Sequence, residues 1–271
     1  MFDTQILIEK SQAMQRVSPL VHCMTNDVVN NFTANVLLAI GAAPAMVMAK
    51  EESAEFAALA SALLINVGTL TPELAQSMRM AIQSARAHGV PWVLDPVACG
   101  VLEYRSAFCE EILALGPAVI RGNAAEIAAL SGMGGESQSK GVDSLLSSDA
   151  AVEHAVALAK RCGAVVAMTG ETDYVTDGAQ VWALKNGDPL LTRVVGTGCA
   201  LGALVAAYCA VCELPMQASL CALSHMAIAG EVAAEKCGKA GVGSFAVALL
   251  DGLQLLAGSE GRIGRLRAEC L

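Results

Sequence analysis

The 271-residue sequence lacks several features that would assign it to other classes of protein. It has no Pro/Ser-rich or charged linker, so we expect one domain over residues 1–271. Its start, "MFDTQILIEK", has no basic region followed by an apolar block, so no signal peptide is expected. The uncharged apolar stretch 194–212 includes a glycine turn, which leaves its helical part too short to cross a bilayer comfortably. We therefore expect no membrane segment.

Positive charge is also scarce. The net charge of −9 argues against a nucleic-acid partner, so any phosphate site must be local. Ten cysteines fit a reducing cytoplasm, which is the expected location. The pair Cys209 and Cys212 alone has metal-like spacing, and no second pair completes four ligands, so we interpret it as core packing.

Hydrophobic residues are abundant, at 55% of the chain with a mean hydropathy of +0.53. We therefore expect strands buried on both faces, some helices buried all round and an oligomer interface. Strand-like and helical runs alternate, as in "LLINVG" followed by "TPELAQSMRMAIQSARAHG", where Thr71 can cap the helix and Gly89 can end it. This order predicts an α/β fold: a central, mostly parallel sheet flanked by helices on both faces, with ligands at the carboxyl ends of the strands.

The second half of the sequence follows a different pattern. A loop rich in Gly and Ser is expected around residues 133–148. The stretch "YVTDGAQVWAL" predicts a hairpin turning at Asp177 and Gly178. Beyond Cys199 only helical periodicity is visible, which predicts an all-helical C-terminal part.

The segment "RVVGTGCALGAL" places three glycines before an apolar helix. It is not a dinucleotide fingerprint, because no strand follows it, and no Gly-Lys-Ser/Thr of a Walker loop is present anywhere. The backbone amides at Gly196, Thr197, Gly198 and Cys199 then form a candidate anion site at a helix start, suited to a phosphoryl group. The alternative is that these glycines only permit tight helix packing.

Polar residues at strand ends supply the other candidates. Asp95 and Glu126 follow adjacent strands and could hold Mg²⁺. Alternatively, Asp95 belongs only to a turn, and Asn123 with Glu126 forms a helix capping box. Arg121 ends an apolar strand and requires an anionic partner, which a phosphate would supply. Asn26 lies at another strand-to-helix junction, where it could simply cap the helix.

In six ordered blocks the chain resembles the hydroxyethylthiazole kinases of the ribokinase-like superfamily: "PLVHCMTNDVVNNFTANVLLAIGAAPAMVMAKEE", "VLDPVACG", "VIRGNAAEIAAL", "MTGETDYVTDG", "VVGTGCALGAL" and "GVGSFAVALLDGL". Only the tail after Ala257 lies outside the resemblance. It implies a ribokinase-like fold and transfer of the ATP γ-phosphoryl group to the primary alcohol of 4-methyl-5-(2-hydroxyethyl)thiazole, in thiamine salvage. It also implies a homotrimer with its sites near subunit boundaries.

The same resemblance implies roles for individual residues. The substrate-binding residues would be Met46, Gly196 and Asn26. The ATP-binding residues would be Arg121, Thr169 and Asn123. The magnesium ligands would be Asp95 and Glu126. The catalytic group would comprise Cys199, Gly196, Thr197 and Gly198.

Cys199 stands where the wider superfamily carries an aspartate that accepts the alcohol proton. A thiol has a pKa of about 8.5, which a helix N-terminus lowers, so we expect a positioning group and modest base. Such a base suffices because phosphoryl transfer depends chiefly on alignment and charge neutralisation. The alternatives are a related kinase of another small alcohol, such as a sugar or hydroxymethylpyrimidine, and a non-catalytic nucleotide-binding protein. A dinucleotide oxidoreductase fits least.

Overall fold

The computed structural model describes residues 2–132, 147–256 and 263–271. Its strands are β1 Leu20–Met24, β2 Ala43–Ala45, β3 Ala62–Asn66, β4 Trp92–Asp95, β5 Val119–Asn123, β6 Val165–Thr169, β7 Asp173–Thr176, β8 Val181–Leu184 and β9 Ala268–Cys270. Within the described residues they form one nine-stranded sheet in the order β2-β1-β3-β4-β5-β6-β7-β8-β9. Pairing is parallel from β2 to β6 and antiparallel from β6 to β9.

Helices cover both faces of this sheet. They are α1 Thr4–Val17, α2 Asn30–Ala39, α3 Lys50–Leu59, α4 Pro72–Ala87, α5 Glu103–Leu113, α6 Ala124–Ser131, α7 Val152–Cys162, α8 Thr197–Cys209, α9 Pro215–Cys237 and α10 Val242–Leu256. Short 3₁₀ helices span Asp149–Ala151 and Pro189–Arg193. One core cluster joins the sheet to α1, α2 and α8–α10, and a second joins it to α3–α7.

The parallel strands are buried on both faces, as their uninterrupted apolar composition predicts. In β3, Leu64 belongs to the first core cluster and Leu63 to the second, because successive side chains of a strand point to opposite faces. Helix α8 is also buried all round, from Ala200 to Tyr208. Among the described residues, no helix combines the length and the apolar character that a membrane span requires.

Local signals in the sequence predicted several boundaries correctly. The Thr71 side chain accepts a hydrogen bond from the Leu74 amide at the start of α4, and Gly89 follows this helix with a φ of +70°. The predicted hairpin joins β7 to β8, and the Asp177 carboxylate accepts the amides of Ala179 and Gln180 at its turn.

Two elements differ from the sequence prediction. The C-terminal part is not all-helical, because β9 pairs with β8 at the edge of the sheet; it is short and largely exposed, so it carries no apolar alternation. Helix α1 was not predicted, although its buried residues Leu7, Ser11 and Met14 have helical spacing and Asp3 caps it. Of the Gly/Ser-rich loop expected at 133–148, residues 133–146 lie outside the described residues.

A buried polar chain connects four of the helices on one face of the sheet. The Tyr208 hydroxyl lies 2.7 Å from His225 Nδ1 and 2.9 Å from the Ser11 hydroxyl, and His225 Nε2 lies 2.9 Å from the Leu253 carbonyl oxygen. Since that carbonyl only accepts, His225 carries its proton on Nε2 and accepts from Tyr208 through Nδ1. Burial lowers the pKa of His225 to about 4.

This low pKa predicts a pH-dependent contribution of His225 to stability. Between pH 6.5 and 4 the unfolded chain binds a proton at this position that the folded chain does not bind. The advantage of the wild type over His225→Gln should therefore be largest above pH 6.5 and shrink by about 1.4 kcal/mol per pH unit as the pH falls towards 4. Urea unfolding of both proteins at pH 7 and pH 5 measures this difference.

Wild type and variant must be compared at each pH because Asp95 and Asp173 change the free energy of unfolding with pH in the direction opposite to His225. Burial raises the pKa of each carboxyl to about 7, so both favour the folded state as the pH falls from 7 towards 4. His88→Gln, a substitution of an exposed histidine, is the matched control. A stability difference between wild type and His225→Gln that is equal at both pH values would contradict the assignment.

Candidate active site

Polar residues gather where the parallel strands end, at one edge of the sheet. Asn66, Asp95 and Thr169 are the last residues of β3, β4 and β6, Arg121 lies near the end of β5, and Asn26 follows β1. The carboxyl ends of parallel strands share one edge, so five separate segments of the chain deliver these side chains to the same region. This placement agrees with the sequence prediction for Asn26, Asp95 and Arg121. Thr169 was indicated only by the family resemblance, and Asn66 is the addition.

The N-terminus of α8 meets this group of side chains. Gly196 precedes the helix with a φ of +92°, and a Cβ atom there would lie 2.9 Å from Val29 Cγ1. A Cβ atom on Gly198 would lie 3.1 Å from Arg121 Nη2, and one on Gly202 would lie 3.2 Å from Asp95 Oδ2. The alternative interpretation, that these glycines permit tight packing, is therefore confirmed. Gly198 packs against Arg121 and Gly202 against Asp95, the two charged residues of the site.

Thr197 is the first residue of α8, and its hydroxyl is already used. It donates to the Leu191 carbonyl oxygen at 2.8 Å, which fixes the turn before the helix. No side chain caps the helix at Gly196. Because the first amides of an α-helix have no partner within it, the start of α8 directs uncapped N–H groups towards the region beside Arg121.

Arg121 and Asp95 form a buried charge pair. Arg121 Nη1 lies 3.7 Å from Asp95 Oδ1, and Arg121 Nη2 donates to the Thr169 hydroxyl at 2.9 Å. Asp95 is fully buried and Arg121 is 9% exposed. Burial raises the pKa of Asp95 to about 7, and the nearby guanidinium limits that rise. The anionic partner that the sequence predicted for Arg121 is thus Asp95. Arg121 Nε has no hydrogen-bond partner among the described residues.

Asn66 is the residue that sequence reasoning missed. Its Nδ2 donates to Asp95 Oδ2 at 2.7 Å, and its Oδ1 accepts from Asn26 Nδ2 at 3.0 Å. Asn26 Nδ2 also lies 3.4 Å from Cys199 Sγ. A buried chain of hydrogen bonds therefore connects Asp95 to the thiol at the start of α8. Asn26 takes part in this chain and does not cap α2, which starts without a side-chain cap.

The pKa of Cys199 differs in direction from the sequence expectation. The helix N-terminus was expected to lower it, but burial raises the pKa of this thiol above its ordinary value, and the Asp95 charge raises it further. Hydrogen bonds from Asn66 and Asn26 and the charge of Arg121 oppose this rise without reversing it. The side chain is therefore a neutral thiol at pH 7, and the expectation of a lowered pKa was wrong.

Glu126 and Asn123 form the capping box that the sequence offered as an alternative. Asn123 Oδ1 accepts the Glu126 amide at 2.9 Å, and Glu126 Oε2 accepts the Asn123 amide at 2.9 Å. Glu126 Oε1 accepts the Ala98 amide at 3.0 Å, in the loop after β4. In the sheet, Asn123 pairs with Thr169, which places this cap beside the site.

The carboxylates suit magnesium only if phosphates and water supply most of the ligands. Asp95 Oδ1 is a buried oxygen with no hydrogen-bond partner among the described residues, whereas both Glu126 oxygens already accept amides. No cluster of three acidic, His or Cys side chains that could hold a metal occurs in the described part of the chain. Mg²⁺ is commonly held by one or two carboxylates with substrate phosphates, and this donor set fits that pattern.

A cavity of about 710 Å³ opens beside the charge pair. Arg121, Thr169, Thr197 and Gly198 line it, together with residues 185–189 after β8 and the α9 side chains of Leu223, Met226 and Ala227. Its size is that of a cofactor or nucleotide site. Met46 does not line this cavity; it follows β2 and packs against the core cluster that contains α8.

Comparisons with known proteins identify the family of the chain. A sequence profile described as the hydroxyethylthiazole kinase family matches residues 11–258. The chain belongs to the hydroxyethylthiazole kinase family. It is 57% identical over 249 residues to a hydroxyethylthiazole kinase of Tolumonas auensis, covering 90% of this chain and 91% of that one. It is 54% identical to one of Citrobacter koseri, covering 92% and 94%.

The solved structures support the same family and its fold. A hydroxyethylthiazole kinase structure from Pyrococcus horikoshii is similar with a TM-score of 0.87 and 39% identity, covering 98% of this chain and 99% of that one. A pyridoxal kinase of Staphylococcus aureus shares the fold at 18% identity and a TM-score of 0.58, covering 78% and 87%. Membership of the hydroxyethylthiazole kinase family makes the chain a kinase with the ribokinase-like fold that the sequence predicted. Family membership also excludes the alternative hypothesis of a dinucleotide-dependent oxidoreductase.

Proposed function

We propose that this protein transfers the γ-phosphoryl group of ATP to the primary alcohol of 4-methyl-5-(2-hydroxyethyl)thiazole, giving ADP and the thiazole phosphate, in thiamine salvage. The observation that carries the proposal is the meeting of the uncapped α8 start with Arg121, beside a nucleotide-sized cavity, in a chain of the hydroxyethylthiazole kinase family. Both features suit the negative charge of a phosphoryl group in transfer.

The nucleotide occupies the 710 Å³ cavity in this proposal. Arg121 and Thr169 contact its phosphates, because both line the cavity and are already joined by a hydrogen bond. Asn123 adds a contact next to Thr169, its neighbour in the sheet. The amides of Thr197, Gly198 and Cys199 point at the phosphoryl group in transfer and stabilise its charge without reorganising.

The alcohol binds on the other side of the glycine turn. Gly196 and Met46 bound the thiazole, and Asn26 lies within reach of both the substrate and Cys199. The alcohol oxygen attacks the γ-phosphorus as the bond to the ADP oxygen breaks. Cys199 holds the hydroxyl by a hydrogen bond, and the small fraction of this residue present as thiolate accepts the hydroxyl proton as a modest base, which suffices because a loose transition state demands little proton transfer.

Asp95 and Glu126 are the residues that would hold Mg²⁺. The Asp95 oxygen is buried without a hydrogen-bond partner and the Glu126 oxygens already accept amides, so these carboxylates would hold the ion together with substrate phosphates and water. The bound ion would neutralise phosphate charge during transfer. Asn66 keeps the Asp95 carboxylate in one orientation through its 2.7 Å hydrogen bond.

We further propose a homotrimer in a reducing, cytoplasmic location. Apolar side chains are exposed next to the site residues Asn26 and Gly196, at Val28 (69%) and Val195 (72%), and near the end of α2, at Leu38 (60%). Such exposure is typical of a surface covered by another subunit. All ten cysteines are free thiols, which agrees with a reducing compartment.

A coupled ADP-release assay with purified protein, ATP, Mg²⁺ and a panel of alcohols tests the function. We expect kcat/KM to be highest for the hydroxyethylthiazole, with hydroxymethylpyrimidine, pyridoxal and sugars as matched competitors. A preference for one of these competitors would identify a related kinase of another alcohol. Nucleotide binding without turnover of any alcohol would instead identify a non-catalytic protein.

A further inference from the structure

The wall of the nucleotide cavity includes a loop that is tied to the C-terminal tail. Residues 185–188 follow β8 and line the cavity consecutively. The Asn186 side chain in this loop is buried, and its hydrogen bonds within the described part of the chain lead to α9 and the tail. Its Nδ2 donates to Glu231 Oε1 at 3.1 Å and to the Arg265 carbonyl oxygen at 2.9 Å, while its Oδ1 accepts the Arg267 amide at 2.7 Å.

One carboxylate oxygen on α9 gathers these contacts. Glu231 Oε1 accepts hydrogen bonds from Asn186 Nδ2, from the Gly187 amide at 3.0 Å and from Arg267 Nη2 at 2.6 Å. The Glu231 side chain is only 14% exposed, so its negative charge depends on the Arg267 guanidinium for compensation.

Arg267 also holds the backbone of the loop directly. Its Nε and Nη2 donate to the Lys185 carbonyl oxygen at 3.0 and 2.6 Å, and its own carbonyl oxygen accepts the Lys185 amide at 3.0 Å. The Lys185 ammonium, on the cavity wall, pairs with Glu269 of β9. Six of these seven hydrogen bonds to Lys185 and Asn186 therefore come from residues 265–269 of the tail.

The 185–188 loop contains a glycine, Gly187, whose conformational freedom disfavours a single ordered path. Gly187 has a φ of +131°, in a region that glycine alone enters readily, so a peptide of this sequence has many alternatives to the observed path. A cavity wall that must be ordered at each binding event weakens affinity, whereas one held in place beforehand does not. The tail lies beyond residue 258, where the family match ends.

We infer that Arg267, acting through Glu231 and Asn186, is a positioning residue that holds the 185–188 loop in the shape that binds the nucleotide. The inference rests on the proposed function in so far as the cavity is the ATP site. The C-terminal tail, through Arg267, thus contributes to nucleotide affinity and not to the acceptor site or the chemical step.

The test compares Arg267→Ala with the wild type by steady-state kinetics and by calorimetry with ADP and Mg²⁺. Loss of hydrogen bonds to a charged group should raise the KM for ATP and the Kd for ADP about tenfold. The kcat and the KM for the alcohol should stay at wild-type values. Asn186→Ala removes the hydrogen bonds of the loop side chain to Glu231, the Arg265 carbonyl oxygen and the Arg267 amide, so it should give the same pattern. Arg267→Lys should restore part of the affinity because it restores the charge.

Arg265→Ala is the matched control. This arginine lies two residues away in the same tail, but its side chain pairs with Glu235 and not with the loop, and its carbonyl oxygen stays available to Asn186. It should bind ADP as the wild type does. Thermal unfolding of each variant separates loss of fold from loss of affinity.

Two outcomes would overturn the inference. Arg267→Ala and Asn186→Ala could bind ADP as tightly as the wild type, or they could alter both KM values and kcat together with a fall in Tm, which is the result of a merely structural role. Calorimetry with ADP needs no acceptor alcohol, so these results stand apart from the proposed reaction. A wild-type protein that binds no nucleotide would overturn the inference and the proposed function together.

Discussion

Arg121→Ala is expected to weaken ATP binding by about 10- to 100-fold, the loss of one or two charge-assisted hydrogen bonds from a site with little access to water. The guanidinium is 9% exposed, lines the cavity and lies against Gly198 at the start of α8. No other arginine or lysine among the described residues lies in contact with both Asp95 and Thr169. Calorimetric titration with ATP and Mg²⁺ measures the effect.

The substitution has a second consequence through Asp95. The pKa of this buried carboxyl is already raised to about 7, and Arg121 is the charge that opposes the rise. Without the guanidinium the carboxyl becomes more readily protonated at neutral pH, and it then loses the charge required to hold a cation. We therefore expect the apparent affinity for Mg²⁺ to fall together with that for ATP.

Two further variants sharpen the measurement. Arg121→Lys keeps one positive charge but loses the planar fork of donors, so it should recover only part of the affinity. Arg79→Ala removes an arginine of an exposed pair with Glu111 on the protein surface and should leave the Kd unchanged. An Arg121→Ala protein that binds ATP with the wild-type Kd would remove Arg121 from the nucleotide site.

Cys199→Ala is expected to lower kcat by about 10- to 100-fold, at the lower end of what a positioned proton acceptor contributes. The effect is modest because the raised pKa leaves only a small fraction of this thiol ionised, and the thiolate is the form that accepts a proton. The Kd for ATP should not change, since Cys199 does not line the nucleotide cavity. Single-turnover kinetics at saturating ATP separate the chemical step from binding.

Cys199→Asp distinguishes a base from a packing residue. A carboxylate there would be held by Asn26, and the neighbouring Asp95 charge would raise its pKa towards the range in which a base is effective. We expect this variant to retain activity. Cys209→Ala, at the other end of α8 and about 15 Å along its axis, is the matched control and should keep the wild-type kcat. A folded but inactive Asp variant would indicate packing, and an unchanged kcat for Cys199→Ala would remove any role in proton transfer.

The sequence allowed much of the site to be predicted because its residues follow a simple rule. A polar side chain at the end of an apolar run, as at Asp95 and Arg121, is costly to bury unless it finds a partner or a ligand at the sheet edge. Thr169 was indicated only by the family resemblance. The same rule would have found Asn66, which ends the run "LLIN", but that stretch was interpreted only as a strand. Its role depends on which strands are neighbours, and β3 pairs with both β1 and β4 only in the folded sheet.

Other features depend on contacts that no local pattern encodes. The raised pKa of Cys199 arises from burial and from Asp95, about a hundred positions away in the chain, so the helix N-terminus alone suggested the wrong direction. Strand β9 pairs with β8 across more than 80 positions and is largely exposed, so neither its composition nor its spacing indicates a strand. The capping box at Asn123 and Glu126 was visible in the sequence, but its place beside Thr169 was not.

Identification of the product is the most direct measurement of the central claim, which is that the start of α8 and Arg121 direct a phosphoryl group from ATP to an alcohol. The wild-type protein would be incubated with ATP, Mg²⁺ and the hydroxyethylthiazole, and the products followed by phosphorus NMR and mass spectrometry. We predict one phosphate ester on the hydroxyethyl oxygen for each ADP formed. Release of ADP with inorganic phosphate and an unmodified alcohol would contradict the account.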